Sequence, residues 1–285
     1  MNLVEDIKHA YHKASVNEKI IYINILFFVF SLLFQSFFQN WVALPVSFSE
    51  FLKKPWTAIS YGFVHFRFFH ILSILLVLYY FGNLFLDFFT PKKFLNYYFL
   101  GLLSGAAFFL GFYAINPNHV IMPLGGASAA VSAILIGITT KIPQYSFHIR
   151  FIGPVKILFI ALVWVGLNLV QLGTPDAGAA IAHLGGAILG FVYTKALNNN
   201  IDIGKWFEVS MQTIFSFGRN LKKPKSHLKT VHKSTKKASN KSVPKSYSPR
   251  ERQNKIDAIL DKISKSGYDS LSSEEKEFLF NEGKK

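Results

Sequence analysis

The sequence predicts an all-α polytopic membrane protein with six transmembrane helices and a short helical cytosolic C-terminal tail. Of its 285 residues, 51% are hydrophobic and 30 are phenylalanine. Only helices and closed barrels satisfy every backbone hydrogen bond inside lipid, and a helical span needs about 20 mostly apolar residues. Six apolar runs approach or exceed this length, and they cover residues 20–38, 58–89, 94–115, 124–140, 155–172 and 177–197.

Three of these runs depart from a simple lipid-facing span. The second, 58–89, is longer than one span, and we expect its start, next to Trp56, to approach the membrane as a re-entrant or interfacial segment. The fourth and sixth, 124–140 and 177–197, are rich in Gly and Ala. Because small residues let helix backbones approach closely, these two helices are expected to pack inside the others.

The distribution of basic residues predicts the orientation in the membrane. Lys and Arg in short loops favour the cytoplasmic side. Lys8, Lys13 and Lys19 precede the first run and Lys92 and Lys93 lie in the second connection, whereas the third connection, NPNH, has neither Lys nor Arg. Both termini are therefore expected in the cytoplasm. The first 19 residues show no cleavable leader pattern and are expected to form a cytosolic amphipathic segment.

The composition changes after the predicted membrane domain, residues 20–197. From Arg219 to Lys245 there are ten Lys or Arg and no Asp or Glu. A segment of this kind predicts a basic flexible linker, which we place at 198–250. Membrane lipids are its expected partner, because anionic lipids attract Lys next to a membrane span, and no nucleic-acid partner is expected.

The remaining residues, 251–285, predict a small helical hairpin. Four apolar residues recur at the spacing of one helix face: Ile256, Ile259, Leu260 and Ile263. Gly267 marks the end of this helix, and Ser272 with Glu275 has the spacing of a capping box at the start of the next. The hairpin is too small for a catalytic domain, and we expect it to bind an unknown cytosolic partner.

Chemically active side chains recur at the starts of three helices that run in the same direction. With the termini inside, the second, fourth and sixth helices all run from outside to inside. Their first turns contain His65 and His70, Ser128, and His183, respectively. Alone, Ser128 could be a packing residue, His183 a structural histidine bonded to a carbonyl, and His65 an interfacial group. An ionisable residue within a membrane helix nevertheless indicates function.

Together these residues predict nucleophilic catalysis. A serine hydroxyl becomes an effective nucleophile when a base within hydrogen-bonding reach takes its proton. Small residues next to both groups would allow their helices to approach. These are Gly125, Gly126, Ala127, Gly186 and Gly190. The first N–H groups of the fourth helix have no intrahelical partner and can stabilise an oxyanion, with His70 as a further donor.

Composition and spacing disfavour three other chemistries. The sequence contains no Cys, which excludes thiol catalysis and cysteine-ligated metals. No carboxylate accompanies His65 and His70 at their depth, which disfavours metal-dependent hydrolysis. The apolar runs hold few acidic residues and no inverted repeat is visible, which disfavours a transporter.

Three motifs on separate helices resemble those of the rhomboid intramembrane serine proteases, and the resemblance covers about residues 20–197. The GxS motif of the fourth helix is present at residues 126–128. The AHxxGxxxG motif of the sixth helix is intact at residues 182–190, and a pair of histidines five residues apart, His65 and His70, precedes or begins the second. The C-terminal hairpin also looks like a tail that some bacterial rhomboids carry.

The resemblance implies a rhomboid-like six-helix bundle in the inner (cytoplasmic) membrane and an intramembrane serine endopeptidase activity. Ser128 would be the nucleophile and His183 the general base, without a third acidic residue. The Ser128 amide, Gly126 and His70 would stabilise the tetrahedral intermediate, and His65 would be an accessory group. The implied substrates are single-span or polytopic membrane proteins cut near the outer face, and no cofactor or metal is implied.

The sequence departs from the family pattern in the second helix. The family usually has Asn four residues after the second histidine, where it supplies an oxyanion donor, but here the residue is Ile74. Ser73 points about 100° away around the helix and is no direct substitute. Two further departures are Ala129 after the serine and Thr57 in place of a first-loop arginine. Ile74 motivates an alternative function, a catalytically weak or inactive rhomboid-like binder or chaperone of membrane proteins.

Overall fold

A computed structural model describes residues 3–117, 119, 122–150, 153–222 and 249–282. The chain divides into two compact units, Met1–Lys223 and Pro224–Lys285. The helices of the first unit are α1 Leu3–Lys13, α2 Val16–Leu33, α3 Gln35–Trp41, α4 Phe48–Lys53, α5 Thr57–Ser60, α6 Phe68–Phe88, α7 Pro91–Ile115, α8 Ser128–Lys141, α9 Ile157–Gln171, α10 Ala177–Asn198 and α11 Lys205–Lys222. The second unit contains α12 Pro249–Ser266 and α13 Ser273–Glu282.

Each of the six predicted apolar runs contains one main helix, and these are α2, α6, α7, α8, α9 and α10. Within the described residues, α2, α6, α7 and α10 are long and apolar enough to cross a membrane. The other two, α8 and α9, are apolar but have only 14 and 15 residues. The chain is therefore a mostly helical, multi-pass membrane protein, as predicted, whereas the number of six spans stays a prediction.

The first apolar run forms two helices rather than one. Ser15 starts α2 with a capping box, in which its hydroxyl accepts from the Glu18 N–H and its own N–H donates to the Glu18 carboxylate at 2.6 Å. The backbone leaves the helical conformation at Phe34, with φ −123° and ψ 46°, before α3 begins. On α2, the buried Asn24 donates to the Tyr98 hydroxyl of α7 at 3.1 Å. This hydrogen bond fixes α2 against the other helices.

The segment before α6 is a series of short elements, as expected for an approach to the membrane. Two short helices, α4 and α5, and a 3-10 turn, Tyr61–Phe63, precede α6. Trp56 is half exposed, and its indole N–H donates to a backbone carbonyl at the end of α3. The fully buried Tyr61 donates its hydroxyl to the Leu102 carbonyl of α7 at 2.9 Å. The chain is thereby anchored just before His65.

The helix α8 lies at the centre of the first unit. Eleven of its 14 residues are buried, and it packs against α6, α7 and α10. On α7, Gly101 and Gly105 face Ala133 and Ala129 of α8 so closely that a β-carbon on either glycine would overlap the alanine methyl group. The sixth run, as α10, is the most buried of the four long helices. The Gly- and Ala-rich helices therefore pack inside, as predicted.

A short β-hairpin corrects the all-α prediction. Strands β1 Ser146–Ile149 and β2 Gly153–Lys156 pair antiparallel between α8 and α9, with Phe147 opposite Val155. Aromatic and β-branched residues favour strands, and Gly153 has a positive φ of 89° at the start of β2. The prediction missed the hairpin because each strand has only four residues, and alternation over so short a run is a weak signal.

A second correction concerns the predicted flexible linker, 198–250. Its residues 205–222 form α11, in which Phe207 is only 7% exposed and Glu208 forms an ion pair with Lys92 at 3.3 Å. The linker prediction was wrong here because the basic composition of the later residues concealed the apolar side of this helix. Residues 223–248 of the predicted linker lie outside the described part of the chain.

A polar network joins the start of α7 to the end of α10. Asp202 accepts hydrogen bonds from the Lys93 ammonium group, from the Tyr193 hydroxyl at 2.8 Å and from the Gly204 N–H at 3.2 Å. Burial alone would raise the pKa of Asp202, but the hydrogen bonds from Lys93 and Tyr193 outweigh it and hold the pKa below the ordinary 3.8. The ionised carboxylate is therefore the form that this network stabilises.

The second unit contains the two predicted tail helices. Gly267, with φ 76°, follows α12, and the predicted capping box is confirmed: the Ser272 N–H donates to the Glu275 carboxylate at 2.7 Å and the Glu275 N–H donates to the Ser272 hydroxyl at 3.3 Å. The hydrogen bond from Lys262 is the main cause that lowers the pKa of Glu275 to about 2. On the predicted apolar face, Ile259 is buried, whereas Leu260 is half exposed.

Candidate active site

The serine and the histidine that the sequence singled out meet in the structure. Ser128 is the first residue of α8 and is only 2% exposed. Its hydroxyl forms a short hydrogen bond with Nε2 of His183, which lies in the second turn of α10. A nucleophile and a base in this contact have the geometry needed for proton transfer between them.

Two glycines of α10 bring the helices close enough for this contact. Gly186 lies against the carbonyl group of Ala129, and Gly190 lies against the carbonyl group of Ala133, one turn further along both helices. A β-carbon at either glycine would overlap the carbonyl oxygen. These two positions need glycine because of the close approach, and the predicted packing role of Gly186 and Gly190 is therefore visible in the contacts.

Backbone conformation explains the glycines before the serine. Gly126 has φ 123°, a region that side chains disfavour, and a β-carbon there would lie 3.2 Å from His70 Nε2. A β-carbon on Gly125 would lie 3.0 Å from the Val64 carbonyl oxygen. The loop that leads into α8 therefore lies in close contact with the start of α6 and with the segment before it.

The two histidines of the second run have different surroundings. His65 is buried, and its Nε2 accepts the Ala127 N–H at 3.3 Å, while its own carbonyl accepts the Ser31 hydroxyl. His65 therefore holds the loop before the serine. His70 lies near the same loop, but its buried Nε2 has no hydrogen-bond partner in the described part of the protein. A buried polar atom without a partner is costly, which suits an atom that meets a ligand.

The backbone amides near Ser128 are not equivalent. The Gly126 N–H donates to the Tyr61 carbonyl at 2.9 Å, and the Ala127 N–H donates to His65. The Ser128 N–H belongs to the first turn of α8, where N–H groups have no intrahelical acceptor. Of these three amides, Ser128 is thus the one whose N–H is not used by the loop. Gly126 was predicted to stabilise the tetrahedral intermediate. Its N–H is already bonded to Tyr61, so its visible role is the backbone turn before Ser128.

A cavity of about 550 Å³ adjoins His183, the histidine that is bonded to Ser128. Its lining includes His65, His70 and His183 and the loop residue Gly125. Arg67 and Asp176 also line it, and both are close enough to His70 to interact with it electrostatically. The cavity is therefore polar around the three histidines, although it lies among apolar helices.

The sequence-based reasoning missed one residue at this site. Asn168 of α9 is 5% exposed, and its Oδ1 lies 2.6 Å from His183 Nδ1, the ring nitrogen that does not face Ser128. The signal was available, because a polar residue within an apolar membrane helix tends to face the protein interior and a polar partner.

Neither Ile74 nor the neighbouring Ser73 replaces the family asparagine in α6. Ile74 is 4% exposed and belongs to the apolar core. Ser73 is exposed, and its hydroxyl donates to the His70 carbonyl of its own helix at 2.8 Å. Ser73 therefore does not supply the missing donor, in agreement with its predicted direction around the helix.

Comparisons with known proteins agree with these motifs. A family model described as Rhomboid domain matches residues 52–200, which is just over half of the chain. A second model, for a family of unknown function (DUF6576), matches residues 247–282. RHOMBOID-like protein 12, mitochondrial, from Arabidopsis thaliana, is 28% identical over 146 residues, and the match covers 46% of the chain and 43% of that protein. The chain therefore spans less than half the length of this relative.

Proposed function

Since the chain belongs to the rhomboid family, we propose that it is an intramembrane serine endopeptidase with Ser128 and His183 as its catalytic residues. The observation that carries this proposal is the hydrogen bond between Ser128 Oγ and His183 Nε2 beside a polar cavity. The contact joins two helices far apart in sequence, and the tight packing of α8 on α10 holds it in place.

The first half of the reaction forms an acyl-enzyme. Ser128 Oγ attacks the scissile carbonyl carbon while His183 Nε2 takes the hydroxyl proton. The carbonyl oxygen becomes an oxyanion, which the Ser128 N–H and the His70 side chain stabilise. His183 then gives its proton to the leaving amine, and the peptide bond breaks. The unpartnered Nε2 of His70 supports its role as a donor at this point.

The second half of the reaction needs water at the dyad. The cavity gives water a route to the dyad, because its lining is polar and includes His183. His183 takes a proton from the water as it attacks the acyl carbon, and returns the proton to Ser128 Oγ as the ester breaks. The catalytic residues then have their starting protonation states. No cofactor or metal takes part in these steps.

The proposed substrates are single-span or polytopic membrane proteins. The apolar outer sides of α2, α6 and α9 suit a lipid environment, where such substrates are found. We place the protein in the cytoplasmic membrane with both termini in the cytoplasm, so that cleavage takes place near the outer face. The basic residues of the chain are expected to interact with lipid headgroups, and the tail with an unknown cytosolic partner.

Cleavage of a single-span model substrate in reconstituted vesicles tests the proposal. Ser128→Ala should abolish cleavage, because it removes the nucleophile. Ser104→Ala is a matched control, since the Ser104 hydroxyl of α7 donates to the Gly185 carbonyl, and this variant should still cleave. Unchanged cleavage by Ser128→Ala would refute the proposal.

One observation favours a second candidate, a non-catalytic binder of membrane proteins. Ile74 stands where the family supplies an oxyanion donor, and an apolar residue there suits client binding without fast hydrolysis. A serine-directed fluorophosphonate probe separates the two functions. Labelling of Ser128 that depends on His183 supports the protease, whereas wild-type protein that binds clients but resists labelling supports the binder.

A further inference from the structure

We propose that Asn168 is a positioning residue that holds His183 in the one neutral tautomer able to accept the serine proton. The inference rests on the proposed protease function and extends it, because the motifs imply a dyad alone. Asn168 lies on α9, a helix that supplies no motif residue. Its side chain is buried and contacts Nδ1 of His183, the ring nitrogen that does not face Ser128.

The orientation of the Asn168 amide follows from its second hydrogen bond. Its Nδ2 lies 2.8 Å from the Trp164 carbonyl oxygen, one turn earlier in α9. A backbone carbonyl only accepts hydrogen bonds, so the NH₂ group must face it. The amide oxygen therefore faces the other way, 2.6 Å from His183 Nδ1. Flipping the amide would set two oxygens against each other.

This orientation determines the tautomer of His183. An amide oxygen has no hydrogen to donate, so a hydrogen bond with Nδ1 requires the hydrogen to be on Nδ1. Neutral imidazole carries a single N–H, and Nε2 then has a free lone pair. Because Nε2 is the atom that faces Ser128 Oγ, the ring is ready to take the hydroxyl proton. The opposite tautomer would present an N–H to the serine and could not accept.

The same contact persists through the reaction. When Ser128 Oγ bonds to the scissile carbon, its proton moves to His183 Nε2 and the ring becomes an imidazolium ion. The Nδ1–H stays bonded to the Asn168 oxygen, whose partial negative charge stabilises the imidazolium. Asn168 itself gains and loses no proton, so it acts through His183 and not on the substrate.

A further hydrogen bond anchors Asn168 relative to the nucleophile. The Trp164 indole N–H donates to the Ser132 hydroxyl at 2.8 Å, and Ser132 lies one turn after Ser128 on α8. Trp164 thus holds α9 on α8 and, through its carbonyl, also orients the Asn168 amide. A chain of hydrogen bonds through three helices therefore sets the position and the tautomer of one imidazole.

The test uses full-length protein in lipid vesicles and compares Asn168→Ala, Asn168→Asp and a control, Asn24→Ala. Asn24 is the matched residue, since it is also buried, donates to the carbonyl one turn earlier in its helix and contacts another helix. The readouts are the rate of Ser128 labelling by a fluorophosphonate probe, kcat and KM for a single-span substrate, and the thermal unfolding temperature.

Asn168→Ala should lower the labelling rate and kcat by about 10- to 100-fold with KM unchanged. This is the range seen when a metal-binding histidine loses the hydrogen-bond partner of its other ring nitrogen. Asn168→Asp keeps an acceptor for Nδ1–H, so it should label faster than Asn168→Ala although a buried charge makes it less stable. Asn24→Ala should label at the wild-type rate whatever its stability.

Two results would overturn the role of Asn168. One is an Asn168→Ala variant that labels as fast as wild type, and the other is equal loss in Asn168→Ala, Asn168→Asp and Asn24→Ala, which would indicate a structural role only. Failure of the proposed protease function is a separate result, because then wild-type Ser128 would not label at all.

Discussion

Gly186 of α10 lies against the carbonyl group of Ala129 on α8, with no room for a β-carbon between them. Ala129 follows Ser128 directly, and Gly186 lies one turn after His183 on the same helix. The distance between the two backbones at this contact therefore sets the distance between the Ser128 hydroxyl and the His183 ring, the proposed nucleophile and base. Helix packing and the geometry of the proposed dyad therefore depend on the same two residues, Gly186 and Ala129.

Replacing Gly186 by Ala should separate the catalytic residues. Overpacking of this kind typically costs about 1–3 kcal/mol in the free energy of unfolding. A shift of about 1 Å between reacting groups can lower the rate by about 10²-fold, so we expect a loss of kcat of this size. Cleavage of a single-span substrate and thermal unfolding measure the two effects.

Gly166→Ala provides the control for that prediction. Gly166 also lies within an apolar helix, α9, but a β-carbon there would meet nothing within 4 Å. This variant should cleave at the wild-type rate. If Gly186→Ala also cleaved at that rate, the dependence of the dyad on this close approach would be disproved.

Replacing His70 by Ala should slow the chemical step. Removal of one oxyanion donor typically lowers kcat by about 10²- to 10³-fold, and here the family asparagine is already absent. Steady-state cleavage kinetics check this, with KM expected to change little because the donor acts in the transition state. His148→Ala, at an exposed histidine of the hairpin, should have no effect. If kcat were unaffected in His70→Ala, the Ser128 N–H would be sufficient to stabilise the oxyanion and the role of His70 would be disproved.

Replacing Ile74 by Asn should raise activity at the expense of stability. The resemblance places an oxyanion donor at this residue, so kcat should increase, by up to about 10²-fold if the amide acts as such donors do elsewhere. Ile74 is buried in the apolar core, and a polar group there without a full set of partners costs about 1–3 kcal/mol. Cleavage assays and thermal unfolding report the two changes. If a folded Ile74→Asn variant cleaved no faster than wild type, the missing donor at residue 74 would not be what limits kcat.

Replacing Asp202 by Asn should destabilise the protein in a pH-dependent way. The pKa of Asp202 is lower in the folded protein than the ordinary 3.8, so its contribution is present above that value and is lost as the pH falls through the folded pKa. At pH 7 we expect a loss of about 1.5–3 kcal/mol in the free energy of unfolding, the range for hydrogen bonds to charged groups. Unfolding in detergent at pH 7 and at acidic pH measures it.

The difference between wild type and Asp202→Asn should narrow at the acidic pH, because protonation removes the same charge from the wild-type protein. Asp87→Asn is the control, as Asp87 is an exposed carboxylate at the end of α6. A destabilisation of Asp202→Asn that is the same at both pH values would contradict a role for the charge.

Much of the site could be predicted because its residues are unusual for a membrane helix. Apolar runs located the helices, and a histidine within one of them, His183, indicated function on energetic grounds. The spacing of the motifs then identified the rhomboid family, which the family match confirms. The β-hairpin and α11 were missed, since the short strands and a partly basic amphipathic helix leave weak signals beside the strong apolar runs.

The sequence by itself determined the family, the helical class and the two residues proposed as the dyad, because these depend on residue type and spacing along the chain. Only the tertiary structure decided which side chains the dyad touches. Asn168 is 15 residues from His183 in the chain and on another helix, and the use of the Gly126 and Ala127 amides by the loop depends on contacts with Tyr61 and His65. Hydrogen bonds of this kind need atoms placed to within a few tenths of an ångström, and the packing of one helix on another supplies that placement.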